Sequence, residues 1–166
     1  MATANTPEVQ IIYDDTWKAV VKVVGFFNAA TNNSNTVVQA NTLFGANTSP
    51  NAHLPLLSIA RVVYSSGLAN GYMQVQWVGK NGAANSDAVI LGSRTSGDIP
   101  QYINNPLAAS NIANTALANT TGDIQLVVTG AEPFDSYTLI MTVNKENQAG
   151  GWANAYVGYN GSDFPH

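Results

Sequence analysis

The residues from Gly122 to Lys145, GDIQLVVTGAEPFDSYTLIMTVNK, constrain the fold more than any other stretch. Read at every second position, Ile124, Leu126 and Val128 share one face, and Tyr137, Leu139, Met141 and Val143 share one face of a second run. Gln125, Thr129, Thr138 and Thr142 occupy alternate positions. A period of two marks a strand with one buried and one wet face. The intervening GAEPFDS holds Gly, Pro, Asp and Ser, so the two runs read as a hairpin with a longish loop. Val127 and Ile140 break the pattern, being apolar on the wet face. A second sheet or another subunit would cover them; scattered surface apolar residues are the plainer reading.

The same logic extends along the chain. Val9 to Tyr13 is a short apolar strand, and Asp14-Asp15-Thr16 a turn. In Trp17 to Phe27 the core face is Ala19, Val21, Val23, Gly25 and Phe27, with Lys18 and Lys22 guarding the other. Trp17, beside the turn, is expected to cover one end of the core. Asn28 to Asn35 reads as a polar loop. Thr36 to Leu43 reads as a strand with Val37 and Val38 on opposite faces. Leu56 to Tyr64 is a strand expected to pair with Tyr72 to Val78, through a tight turn at Asn70-Gly71. Ala88 to Leu91 reads as a short or edge strand.

These segments divide the chain into an N-terminal arm (1–8), a β-domain (9–145) with an irregular insertion (92–121), and an aromatic C-terminal tail (146–166). Within the insertion, Ser110 to Ala118 has the pattern of one or two helical turns. The tail carries Trp152, Tyr156, Tyr159 and Phe164, and either folds back as an edge strand or reaches a neighbour. The expected fold is all-β, a β-sandwich or jelly-roll-like barrel of about seven to nine short strands with at most one short helix. At 166 residues the chain suffices for one domain with a sizeable core.

Composition narrows the function. Only 10% of residues are charged, and Asn alone occurs twenty times. A surface of amides and hydroxyls repels its neighbours weakly, which suits an assembly component; an adhesin or carbohydrate binder shares the trait. The net charge of −4 and the dispersed Lys and Arg argue against nucleic-acid binding. No apolar run approaches the ~20 residues of a membrane span, and MATANTPEVQ lacks the marks of a signal peptide. There is no cysteine.

No catalytic constellation is visible. His53 is the one internal histidine, in a proline-flanked loop, and no GxSxG occurs. The acids sit in or beside predicted turns, where Asp bonds its own backbone. Asp14-Asp15 lacks a calcium-loop pattern. A stacking site for sugar from Trp152, Tyr156 and Tyr159 is the main ligand alternative. The chain is therefore read as no enzyme, with no cofactor and no metal. Its candidate partner-binding residues are Pro7, Glu8, Val127, Ile140, Trp152, Tyr156, Tyr159 and Phe164.

Val9-Gln10-Ile11-Ile12-Tyr13-Asp14-Asp15 with Trp17-Lys18-Ala19-Val20-Val21-Lys22-Val23-Val24-Gly25 resembles a group of small tailed-bacteriophage virion proteins. The likeness resumes at Ile59-Ala60-Arg61-Val62-Val63-Tyr64-Ser65 and Val75-Gln76-Trp77, and ends in Gly122-Asp123-Ile124 through Tyr137-Thr138-Leu139-Ile140-Met141. It implies a β-sandwich virion component. By analogy, it implies capsid decoration or cementing, as a homo-oligomer (commonly a trimer) on the major capsid protein. The protein would be made in the host cytoplasm and reside on the capsid surface. The alternative is a carbohydrate-binding or host-recognition module on the head or a fibre. No family site residues carry over.

Overall fold

The computed structural model describes residues 5–46, 55, 57–79, 83–100, 103–104, 120–145 and 152, with the backbone alone at 103–104 and 120. The strands are β1 (Glu8–Asp14), β2 (Lys18–Phe26), β3 (Thr31–Val38), β4 (Leu57–Ser66) and β5 (Tyr72–Gly79). They continue with β6 (Ser86–Leu91), β7 (Ser96–Ile99), the two-residue β8 (Ile103–Asn104), β9 (Thr120–Ala131) and β10 (Ser136–Lys145). A 3-10 turn at Ala40–Thr42 is the one helical piece among the described residues.

The strands form two antiparallel sheets. One has the order β1-β2-β10-β4-β7, with β8 also on β4; the other has the order β3-β9-β5-β6. Four pairings nest: β2 with β10, β3 with β9, β4 with β7, and β5 with β6. This is one long hairpin, folded over so that successive pairs alternate between sheets. Lateral contacts of β10 with β4 and of β9 with β5 complete it. That connectivity defines a jelly roll, open at its edges.

The core lies between the sheets. Ala19, Val21, Val23, Leu139, Met141 and Val143 face Ile124, Leu126, Val128, Met73, Val75 and Trp77, all at most 1% exposed. Full burial of a large apolar side chain stabilises by roughly 1.5–3 kcal/mol. Gly25 is part of this design. A Cβ there would lie 2.1 Å from Tyr137 Cε1, because the Tyr137 ring covers the glycine directly across the ladder.

Several sequence expectations are corrected. Gly122–Thr129 and Tyr137–Val143 do not form a hairpin; β9 and β10 lie in different sheets, with their apolar faces opposed across the core. β4 and β5 are likewise in different sheets, and neither Asn70 nor Gly71 has a positive φ. Alternation fixes which face is buried but not which strand is the neighbour. The polar run expected as a loop supplies most of β3. Its asparagines wire it down: Asn32 Oδ1 accepts Gly130 N–H at 2.8 Å and Asn35 Nδ2 donates to Asn33 Oδ1 at 2.6 Å. Val37 and Val38 are both buried, because the register shifts between Thr36 and Val38. Trp17 is 48% exposed and caps no core end; Asp15 Oδ1 accepts the backbone N–H of Trp17 and of Lys18, fixing the turn with the ring outside. Within 92–121, β7 and β8 are regular; the expected helical turns at Ser110 to Ala118 lie outside the described residues.

The corner between β9 and β10 is a tight turn. Asp135 N–H donates to Glu132 O at 3.1 Å, closing Glu132-Pro133-Phe134-Asp135. Pro133 holds the second position and Phe134, at φ 72°, the third. A positive φ at the third position after proline is a type II turn, whose third place favours glycine. A bulky residue there costs about 1–3 kcal/mol and persists only where its surroundings hold it.

Candidate interaction surface

Among the described residues, β1 is the outer strand of the larger sheet and pairs with β2 alone. Val9 lies opposite Val23 and Ile11 opposite Val21, so both belong to the inner face. The smaller sheet ends at β3 and leaves them uncovered. Val9 is 40%, Ile11 48%, Ile12 52% and Tyr13 46% exposed. Beneath them is a groove of about 240 Å³, walled by Val9, Ile11, Val21, Val37, Val38 and Leu43 and rimmed by Thr36, Gln39 and Thr42.

The edges differ in how they resist strand addition. β3 presents Thr, Asn and Ser; β7 is only four residues long and carries the Asp98–Arg61 pair; β6 carries Asp87. β1 has acids only at its ends, Glu8 and Asp14, and no Lys, Arg or Pro between them. A bulge between Ile11 and Tyr13 interrupts the strand, but Val9, Ile11, Ile12 and Tyr13 still make an apolar edge of the kind that accepts another strand. Residues 5–8 of the arm are docked, since Asn5 N–H donates to Phe26 O at 2.8 Å and Asn5 Nδ2 to Asn28 Oδ1 at 2.6 Å. Pro7 is half-buried and Glu8 exposed, at the start of this edge.

The other sequence-derived candidates are not gathered into one patch. Val127 is half-buried on the outer face of the smaller sheet, between Ser34 and Gln74. Ile140 is half-buried on the outer face of the larger sheet, between Lys22 and Val63. The two residues face opposite sides of the molecule. Around Val127 runs a ladder of amides: Gln76 Oε1 accepts from Gln125 Nε2 at 3.0 Å, and Gln76 Nε2 donates to Asp87 at 2.7 Å. Tyr156, Tyr159 and Phe164 lie outside the described residues, as does His53. Trp152 is 1% exposed, so its ring is packed within the chain rather than offered outward.

What holds Trp152 is a feature sequence reading missed. The Lys145 side chain is fully buried. Its ammonium donates to Asp14 Oδ1 at 2.6 Å, to Phe44 O at 2.7 Å and to Asp15 O. Three donors thus meet three acceptors. The Trp152 and Phe44 ring centroids lie 5.2 and 5.6 Å from Nζ. Asp14 also accepts Phe44 N–H at 2.8 Å. The cluster ties the β1–β2 turn, the segment after the 3-10 turn and the end of β10 into one unit. Its visible signal was parity: Lys145 falls on the same alternate positions as Met141 and Val143.

Electrostatic perturbations elsewhere are local. The Tyr13 hydroxyl, donating to Asp15 at 2.6 Å, holds the Asp15 carboxyl below its usual range, and the same bond raises the Tyr13 phenol. Arg61 lowers Asp98. Burial pushes Asp123 up, against the bond it accepts from Ala40 N–H at 2.8 Å. Of the acids expected in or beside turns, Asp87, Asp98 and Asp123 lie within strands. Among the described residues no group of three His, Cys, Asp or Glu is placed to hold a metal.

The class these features define is an all-β jelly-roll sandwich. No protein-family model matches the chain, and no curated protein is similar to it in sequence. Among solved structures, a Bacillus endospore appendage forming disulfide-linked pili is similar over 89% of this chain and 97% of that one, at 10% identity and TM-score 0.38. A structure of a CBM4 module is similar over 78% and 82%, at 13% identity and TM-score 0.33. One from the Gx strain of infectious bursal disease virus is similar over 90% of this chain and 34% of that one, at 13% identity and TM-score 0.35. These are distant β-rich likenesses, to a pilus-like and a viral component and to a binding module, and they specify no function.

Proposed function

We propose that this chain is a structural, non-enzymatic component of a tailed-bacteriophage particle. In this reading it is a capsid decoration or cement protein, made in the host cytoplasm and bound as a homo-oligomer, with a trimer favoured, to the major capsid protein. The observation that carries the proposal is the β1 edge, where Val9, Ile11, Ile12 and Tyr13 are exposed with no Lys, Arg or Pro among them and, among the described residues, the strand's ladder runs to β2 alone. A shell subunit docks there by adding a strand and covering Ile12 and Tyr13. Repetition around a shell makes modest single contacts sufficient.

The test mixes purified protein with shells that lack it. Binding is expected, and Ile12→Lys, which charges the edge without touching the core, is expected to weaken it at least ~10-fold, since a buried unpaired charge costs several kcal/mol. Shell binding unchanged by Ile12→Lys refutes the edge; absence of the protein from purified particles refutes the function.

A carbohydrate-binding role is the second reading, favoured by the amide and carboxylate ladder of Gln74, Gln76, Gln125 and Asp87 beside the exposed Tyr72. Saturable binding on a glycan array, lost in Gln76→Ala, would select it over the first.

A further inference from the structure

We propose that copies of this chain join head to tail, with Phe134 of one seated in the groove beneath β1 of the next. Phe134 is 84% exposed, and its backbone is held rigidly in the left-handed region. Its N–H donates to Phe27 O at 2.7 Å. Beside it, Asp135, itself buried, accepts Glu132 N–H at 2.8 Å and Ala69 N–H at 3.0 Å. The ring contributes almost no burial to its own fold, yet it occupies a position that favours glycine. A projecting aromatic side chain on an ordered turn loses little freedom on docking, which is how an interface anchor works.

The groove has room for the ring, between the apolar walls of Val9, Ile11, Val21, Val37, Val38 and Leu43 and the polar rim of Thr36, Gln39 and Thr42. An apolar cavity of about 150 Å³ takes up benzene, and this groove measures about 240 Å³. Among the described residues no charged side chain lines it. The ring cannot enter its own groove. Phe134 is fixed beyond the last residue of β2, whereas the groove runs from Val21 toward Leu43, beside the end where Phe44 meets Asp14. Knob and socket therefore lie toward opposite ends of one rigid sandwich. A contact between two different surfaces is heterologous, and it propagates until it closes into a ring or extends as a filament. Closure after three copies gives the trimer proposed above. The inference deepens that homo-oligomer reading, but its test needs no shell, so either can fail alone.

The experiment is sedimentation of the purified full chain across a concentration series. Wild type is expected to run heavier than a monomer as concentration rises. Phe134→Gly is expected to stay monomeric with an unchanged or raised Tm, because glycine suits the turn while the knob is gone. Ile11→Glu is expected to block the socket and also stay monomeric. Mixing the two variants is expected to restore a dimer and nothing larger, since one intact knob meets one intact socket. A monomeric wild type, undiminished association by Phe134→Gly, or no dimer in the mixture overturns the proposal. If Ile11→Glu fails to fold, the comparison of wild type with Phe134→Gly decides.

Discussion

Replacing Lys145 by methionine removes a charge while keeping an unbranched chain of similar length. The ammonium is fully buried and satisfied by Asp14, Asp15 O and Phe44 O. Without it, the Asp14 carboxylate, 19% exposed, keeps among the described residues its bond from Phe44 N–H, and two carbonyls lose the ammonium donor. Removing one partner of a buried pair costs about 3–5 kcal/mol. In a domain of this size each kcal/mol moves Tm by about 2–4 °C, so a fall of roughly 6–20 °C is expected. Urea unfolding measures the free energy directly. Asp14→Asn, which strands the ammonium instead, is expected to cost a similar amount, and the double variant clearly less than the sum, with a coupling of at least ~1 kcal/mol. A Lys145→Met protein within about 1 kcal/mol of wild type would refute the reasoning. So would strict additivity in the cycle.

Three further outcomes follow from contacts already described. Gly25→Ala drives a methyl into the Tyr137 ring, 2.1 Å from Cε1, and is expected to destabilise by about 1–3 kcal/mol in urea titration; adding Tyr137→Leu should recover part of it. Burial pushes the Tyr137 phenol up to about 12. A raised folded value means stability that is whole below the ordinary phenol pKa and lost as pH rises through the folded one, by up to roughly 2–3 kcal/mol in all. A Tyr137→Phe protein should lack that alkaline loss. Asp123 is also raised, chiefly by burial, so its ionisation opposes folding as pH climbs above the ordinary carboxylate range. Asp123→Asn keeps an acceptor for Ala40 N–H and should equal or exceed wild type at neutral pH, with the difference vanishing in acid; a less stable variant at neutral pH would contradict this.

Much of the fold was legible in the sequence because burial has a period. Ala19 to Phe27, Met73 to Trp77, Ile124 to Val128 and Tyr137 to Val143 all bury the face that alternation assigns. Strand partners were not legible. The nearest strand in sequence was taken as the neighbour, whereas a jelly roll sends β9 and β10 to opposite sheets. β3 was hidden because its asparagines stabilise it by side-chain bonds rather than by burial. The bulge that buries both Val37 and Val38 has no local signature. At the surface, β1 was visible as a strand but not as an edge, since being an edge is a property of the whole topology. Phe134 was hidden because a PFD sequence reads as an ordinary turn, and only φ reveals that the ring stands where glycine is expected. Lys145 was readable in principle, because a charge at an inward position demands buried partners.

The middle of each sheet is filled late in the sequence: β10 lies between β2 and β4, and β9 between β3 and β5. During synthesis β2, β3, β4 and β5 each emerge with a neighbour still unmade. Among the described residues only the β1–β2 and β5–β6 ladders join consecutive strands. A nascent chain halted ahead of residue 120 thus offers several naked ladders to the crowded ribosome surface, and closure of both layers becomes nearly simultaneous. Closure of the sandwich therefore waits on residues 120–145, whatever has been made before them.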